Sequence, residues 1–183
     1  MENIDIIDSS GDVILILHRE EDGPDLKLKV NSKILSLASP IFHHMFDGRF
    51  AEGQNLSAAT PKEILLPSDK ANLMQMLCLL VHFRCSRLPR TVDIETLADF
   101  AVLCDKYQCI EAAGWMSRGW VTSWLPHPKT ANFEKLLFVT YVLGLPDEFN
   151  QVTRLLILNH TFDLDIGSAM HGFDFLPGQI FSM

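Results

Sequence analysis

Every strand-like run in this chain ends by Pro67, and the apolar patterns that follow are helical. The order is strand, strand, a pair of short helices, strand, and then helices only. Strands gathered at one end and helices at the other predict an α+β fold, a small sheet beside a helical layer. The first strand is the continuous run "DVILIL" from Asp12 to Leu17, which suits a strand covered on both faces. The second, "LKLKV", puts Leu26, Leu28 and Val30 on one face and Lys27 and Lys29 on the other. Asp22, Gly23 and Pro24 supply the turn that joins them into a hairpin. The third strand is "KEILLP", bounded by Pro61 and Pro67.

Between the second and third strands stands "SKILSLASPIFHHMF". Asn31 or Ser32 can cap a first helix, because their side-chain oxygens accept a free backbone N–H. Ile34, Leu35 and Ala38 form its apolar stripe. Pro40 cannot extend that helix, since it has no N–H and crowds the preceding turn. It suits the first turn of a second helix, with Ser39 as cap. Its apolar positions are Ile41, Phe42, Met45 and Phe46; Phe42, Met45 and Phe46 are expected against the long helix that comes next, and Gly48 stops the segment.

That long helix is "DKANLMQMLCLLVHF", capped by Ser68, with Leu73, Met74, Leu77, Leu80 and Val81 at a 3.6-residue period. Two more follow, "IETLADFAVLCDKYQC" and "IEAAGWMSRGWVTSWL". Pro126 and Pro128 mark a boundary, beyond which "ANFEKLLFVTYVLG" and "PDEFNQVTRLLILNH" are amphipathic helices. Their apolar faces are expected to pack onto the Trp-rich helix before them. Four units are expected: a tail over 1–10, the main domain over 11–126, a helical extension over 127–162 and an irregular tail over 163–183.

Charge narrows the function classes. The chain has 183 residues and a net charge of −8, with no basic stripe, so a phosphate backbone is not the expected partner. No apolar run reaches the ~18 residues that a membrane helix requires. The polar start "MENIDIIDSSGD" does not read as a signal peptide. Cys78, Cys85, Cys104 and Cys109 read as reduced thiols, so an intracellular place is expected, cytoplasmic or nuclear.

The residues now in view resemble the BTB/POZ domain, in the style that filamentous fungi carry in large numbers. The likeness rests on "GDVILIL", "LKLKV", the hairpin Lys33, Leu35, Ser39, Phe42, Met45 and Phe46, the strand "KEILLP", and the segment "AVLCDKYQC" from Ala101 to Cys109. It covers residues 11–125, roughly two thirds of the chain. It implies a BTB/POZ fold and a protein–protein interaction module. Such domains that recruit a cullin-3 ubiquitin-ligase scaffold resemble one another in a hydrophobic-x-Glu loop after the helical hairpin. Phe50-Ala51-Glu52 stands at that place, so Phe50 and Glu52, with His43 and His82 nearby, are the expected partner-binding residues. The other reading is a self-associating scaffold or regulatory protein with no ligase link. The family's dimers carry a strand and helix ahead of the first hairpin, whereas about ten polar residues precede Gly11 here.

No catalytic, metal or cofactor residues are assigned. His43 and His44 are adjacent, and on a helix they diverge by about 100°, too far to share one ion. Cys104 and Cys109 lack the tight, doubled spacing of zinc ligands. No nucleophile elbow, zincin helix or phosphate loop occurs, so an enzyme is not expected. Trp115, Trp120 and Trp124 are read as helix packing.

Overall fold

A computed structural model describes residues 4–19 and 24–159; Asp22 and Gly23 of the expected turn and the expected irregular tail lie outside the described residues. The architecture is mixed α+β. Four strands, β1 (Ile4–Ile6), β2 (Val13–Leu17), β3 (Leu26–Val30) and β4 (Lys62–Leu65), make one sheet in the order β1-β3-β2-β4. The helices are α1 (Ser32–Ala38), α2 (Pro40–Phe46), α3 (Ala71–Val81), α4 (Ile94–Lys106), α5 (Ile110–Trp124), α6 (Lys135–Val142) and α7 (Pro146–Asn159).

Register explains which face of the sheet is core. β2 and β3 are antiparallel, pairing Val13 with Val30, Leu15 with Leu28 and Leu17 with Leu26. All six side chains are buried. Ile14 and Ile16 stand opposite Lys29 and Lys27, whose alkyl stems lie beside them while the ammonium groups reach Ser9 O and Glu63. β2 is therefore covered on one face by core and on the other by lysine stems. β4 runs parallel to β2, and the crossover between β3 and β4 carries the α1–α2 hairpin.

The stretch expected as a tail is partly strand. Ile4–Ile6 lies parallel to β3, and Asp5 ties it down: Arg87 Nη2 reaches both carboxylate oxygens at 2.6 and 2.8 Å, and Gln75 Nε2 donates to Oδ2 at 2.7 Å. A three-residue strand among acidic residues has too short a period to register in a sequence. Its anchors stand some 70 to 82 positions away along the chain.

The cap at Ser39 is as expected, accepting from Phe42 N–H at 3.1 Å. Its own hydroxyl donates to Tyr107 O, joining the helical hairpin to the end of α4. Asn31, not Ser32, caps α1, accepting from Lys33 and Ile34 N–H. The Ser32 hydroxyl is engaged by Asp12 at 2.7 Å. Ser68 does not cap α3, which starts at Ala71 after Lys70. Asp69 turns inward instead, accepting from Tyr107 Oη at 2.7 Å and from Lys106 Nζ at 2.6 Å.

One hydrophobic cluster runs from the sheet through the extension, from Val13 and Leu28 to Leu136, Val139 and Leu156. α6 packs chiefly on α4 and α7, and only slightly on the Trp-rich α5, onto which the sequence reading places it. It begins late because Asn132 takes a positive φ of 64°, which breaks the helical path just before it. Among the described residues, no helix is long and apolar enough to cross a membrane.

Candidate functional site

α2 ends in a loop whose shape is set by short-range chemistry. Asp47 closes the helix and its Oδ1 accepts from Arg49 N–H at 3.0 Å. Gly48 then takes φ +86°, a conformation side chains rarely allow. Phe50 is extended and leads into a single 3-10 turn, Ala51–Gly53, closed by Gly53 N–H donating to Phe50 O at 3.1 Å. Lys62, at the start of β4, reaches across and donates to Ala51 O and Gln54 O. An ammonium group holding two carbonyls fixes the turn against the sheet.

Gly53 is the second constraint. A Cβ there would lie 2.7 Å from Gly48 N and 2.8 Å from Phe46 C, so the loop sits directly on the end of α2. The consequence is visible at Phe50. Its ring is 57% exposed although the backbone on either side is bonded, so the loop holds an aromatic outward. Glu52 is half-buried, two residues on. His43 is exposed on α2, its ring 5.9 Å from that of His44. Phe50 and Glu52 therefore share the loop, with His43 on the helix that feeds it.

His82 does not join them. It is 5% exposed at the end of α3, and both ring nitrogens work inside the fold. Asn31 N–H donates to Nε2 at 3.0 Å, and Nδ1 lies 2.8 Å from Cys78 O. A ring accepting at Nε2 must carry its proton at Nδ1, so the neutral form is built in. Its role is structural, pinning α3 to the start of α1. From the sequence, nothing marks a partner 51 positions away.

This arrangement has a pH signature. Burial, foremost, holds His82 below the ordinary histidine value, and Arg84 adds to it; the bond to Cys78 O and the charge of Asp8 act the other way. The unfolded chain takes up this proton near pH 6.5, the folded chain only at lower pH. The contribution to stability is thus complete above about pH 6.5 and is lost as pH falls from there through the folded value. Chemical denaturation at pH 7.5, 6.5 and 5.5 should show falling midpoints. His82→Gln should be less stable at pH 7.5 yet flatter over the same range; an unchanged slope would discharge His82. The carboxyls of Asp8 and Asp93, held low chiefly by bonds to Ser10 and Thr96, act only below about pH 3.8.

Other aromatic residues are more exposed than the sequence led us to expect. Phe83, the residue after His82, has φ 58° and is 87% exposed. Trp115 is 79% exposed, whereas the Trp120 and Trp124 indoles donate to Pro89 O and Val92 O. The sequence pattern assigns all three tryptophans to helix packing. Yet five residues of helix turn the direction by about 140° between Trp115 and Trp120, which puts them on different sides. Cys78, Cys104 and Cys109 are buried and Cys85 is exposed, all as free thiols. Burial pushes the Cys78 thiol far up, which keeps it a packed, protonated side chain. Among the described residues, no three His, Cys, Asp or Glu side chains gather as metal ligands.

No protein-family model matches this chain, and no curated protein matches it.

Proposed function

We propose that this chain is a BTB/POZ-type interaction module that serves as an adaptor, docking a cullin-3-type scaffold through the loop at Phe50 and Glu52. The observation that carries the reading is the outward Phe50 ring on a loop held by Gly48, Gly53 and Lys62. An exposed aromatic on a rigid support loses little conformational entropy on binding, which is how anchor residues act. Glu52 lies close enough in sequence to order the loop or to meet a basic group on the partner. The order of elements supports the family resemblance: hairpin, helical pair, crossover strand and helical layer, with the Ser39 hydroxyl meeting the Tyr107 carbonyl.

A calorimetric titration with purified cullin-3 N-terminal domain tests this. Phe50→Ala with Glu52→Ala is expected to weaken binding at least tenfold, the loss typical of a ~1.4 kcal/mol anchor, with thermal unfolding nearly unchanged. Equal affinity in the double variant would remove these residues from the account.

A second reading, self-association, has one specific support. β1 is an edge strand that ends in Ile6, 57% exposed, and Arg84, next to exposed Phe83, donates from Nε to Ile7 O just past it at 3.0 Å. Open edges and apolar patches favour homotypic contacts. Light scattering on the titration samples separates the two readings: a monomer at every concentration ends the second.

A further inference from the structure

We infer that His44 is a proton-operated latch on the Phe50 loop: charged, it closes on Asp47 and stiffens the loop; neutral, it lets go. The functional consequence, tighter docking at mildly acid pH, rests on the docking role proposed above for that loop.

The latch point is a carboxylate engaged on one side. Asp47 closes α2, and its Oδ1 accepts from the Arg49 N–H at 3.0 Å, the bond that starts the loop. The Asp47 side chain is only 11% exposed, and Oδ2 is buried with no hydrogen-bond partner among the described residues. A carboxylate oxygen taken out of water without a donor is costly, so a donor brought within reach is favoured. Two basic side chains flank it. Arg49 Nε lies 3.1 Å from Oδ2 but outside hydrogen-bond geometry, on a side chain 78% exposed. His44 Nδ1 lies 3.8 Å away, one helical turn back. That gap is too long for a hydrogen bond, and a slight swing of an exposed ring closes it.

Protonation decides whether it closes. A neutral imidazole has one N–H and can turn a lone pair to the carboxylate, whereas the imidazolium donates from both nitrogens and is drawn to the charge. The last carbonyls of α2 add to the attraction for a cation. The surroundings act both ways. His43, its ring 5.9 Å from that of His44, opposes the latch when charged. So do Arg49 and Lys33, the one charged residue of α1, while Glu52 in the 3-10 turn favours it. α4 meets α2 through Tyr107, a neutral phenol, and Lys106 beside it is turned to Asp69. The 3.8 Å attraction acts at closer range than the 5.9 Å repulsion, so it sets the sign. With both oxygens engaged, Asp47 cannot turn away from the Arg49 N–H, and the step into Gly48 and Phe50 is held.

Amide hydrogen exchange on the full ¹⁵N-labelled chain tests the latch without a partner. Histidines are the side chains whose ordinary titration falls between pH 8.0 and 6.0. After correction for the intrinsic pH dependence of exchange, protection of the Arg49 and Gly53 N–H groups should rise about two- to threefold from pH 8.0 to 6.0, the size of an exposed pair. His44→Gln should leave it level. Asp47→Asn, which keeps one oxygen for the Arg49 N–H, should leave it level too, and His43→Gln should preserve the rise. The same rise in His44→Gln, or none in the natural chain, would overturn the latch. Titration with the cullin-3 N-terminal domain at both pH values then reads the consequence: affinity should gain about twofold at pH 6.0 in the natural chain relative to His44→Gln. Protection that follows His44 with no cullin binding at either pH would sink the docking role and leave the latch standing.

Discussion

Phe42→Ala is expected to remove about 3–5 kcal/mol of folding stability, the range for deleting a buried aromatic. The ring is 1% exposed and stacked on both sides, 4.5 Å from Tyr107 and 5.9 Å from Phe46. How far such a hole costs depends on whether its walls can close in. Here one wall is fixed: Tyr107 donates its hydroxyl to Asp69 at 2.7 Å, and Asp69 also takes Lys106 at 2.6 Å. The same tether, after burial, drives the Tyr107 phenol upward, so the ring stays a neutral donor. A ring bonded at its far end cannot slide into the vacancy, which favours the upper half of the range. Urea unfolding should show the midpoint falling at constant slope, and the melting temperature should drop by about 6–20 °C. Leu37→Ala, at a residue 91% exposed on α1, is the matched control and should change stability by less than about 0.5 kcal/mol. Similar losses for the two would mean that the helical hairpin is not seated on α4 as described.

The same contact shows what a sequence can and cannot disclose. The inward face of α2 was legible, because Phe42 and Phe46 repeat at four residues and Pro40 sets where the helix begins. Their neighbour was not. Phe42 was expected against α3, but the ring that meets it is Tyr107 at the end of α4, 65 positions on. Such pairings depend on how elements cross, and periodicity carries no record of that. The alternation in "LKLKV" likewise placed Leu26, Leu28 and Val30 inward, while β1 passed unnoticed for want of length. His82 failed as a surface residue for a related reason: an acceptor was needed by Asn31 N–H, and only the folded chain brings the two together. Local patterns name the face a residue takes. The partner on that face comes from tertiary packing.

For the Phe50 loop, local pattern and tertiary contact meet at Gly53, and Gly53→Ala is the substitution that joins fold to proposed function. Gly48 and Gly53 are both glycine for different reasons. Gly48 needs its φ of +86° and has open space around it, whereas Gly53 needs room. A methyl at Gly53 would press on Gly48 N at 2.7 Å and on Phe46 C and O at 2.8 and 2.9 Å, all main-chain atoms at the end of α2. Backbone cannot swing aside like the tip of a side chain, so the turn itself must lift. Lifting it strains the Gly53 N–H to Phe50 O bond and draws Ala51 and Gln54 away from Lys62. Overpacking of this kind costs about 1–3 kcal/mol, read as a lower urea midpoint. The larger effect falls on recognition. Phe50 and Glu52 keep their chemistry but lose the support that fixes one against the other, so cullin affinity should fall about as far as in the Phe50→Ala, Glu52→Ala pair. If Gly53→Ala kept both stability and affinity, the loop would be pliable, and a rigid aromatic anchor would no longer explain binding.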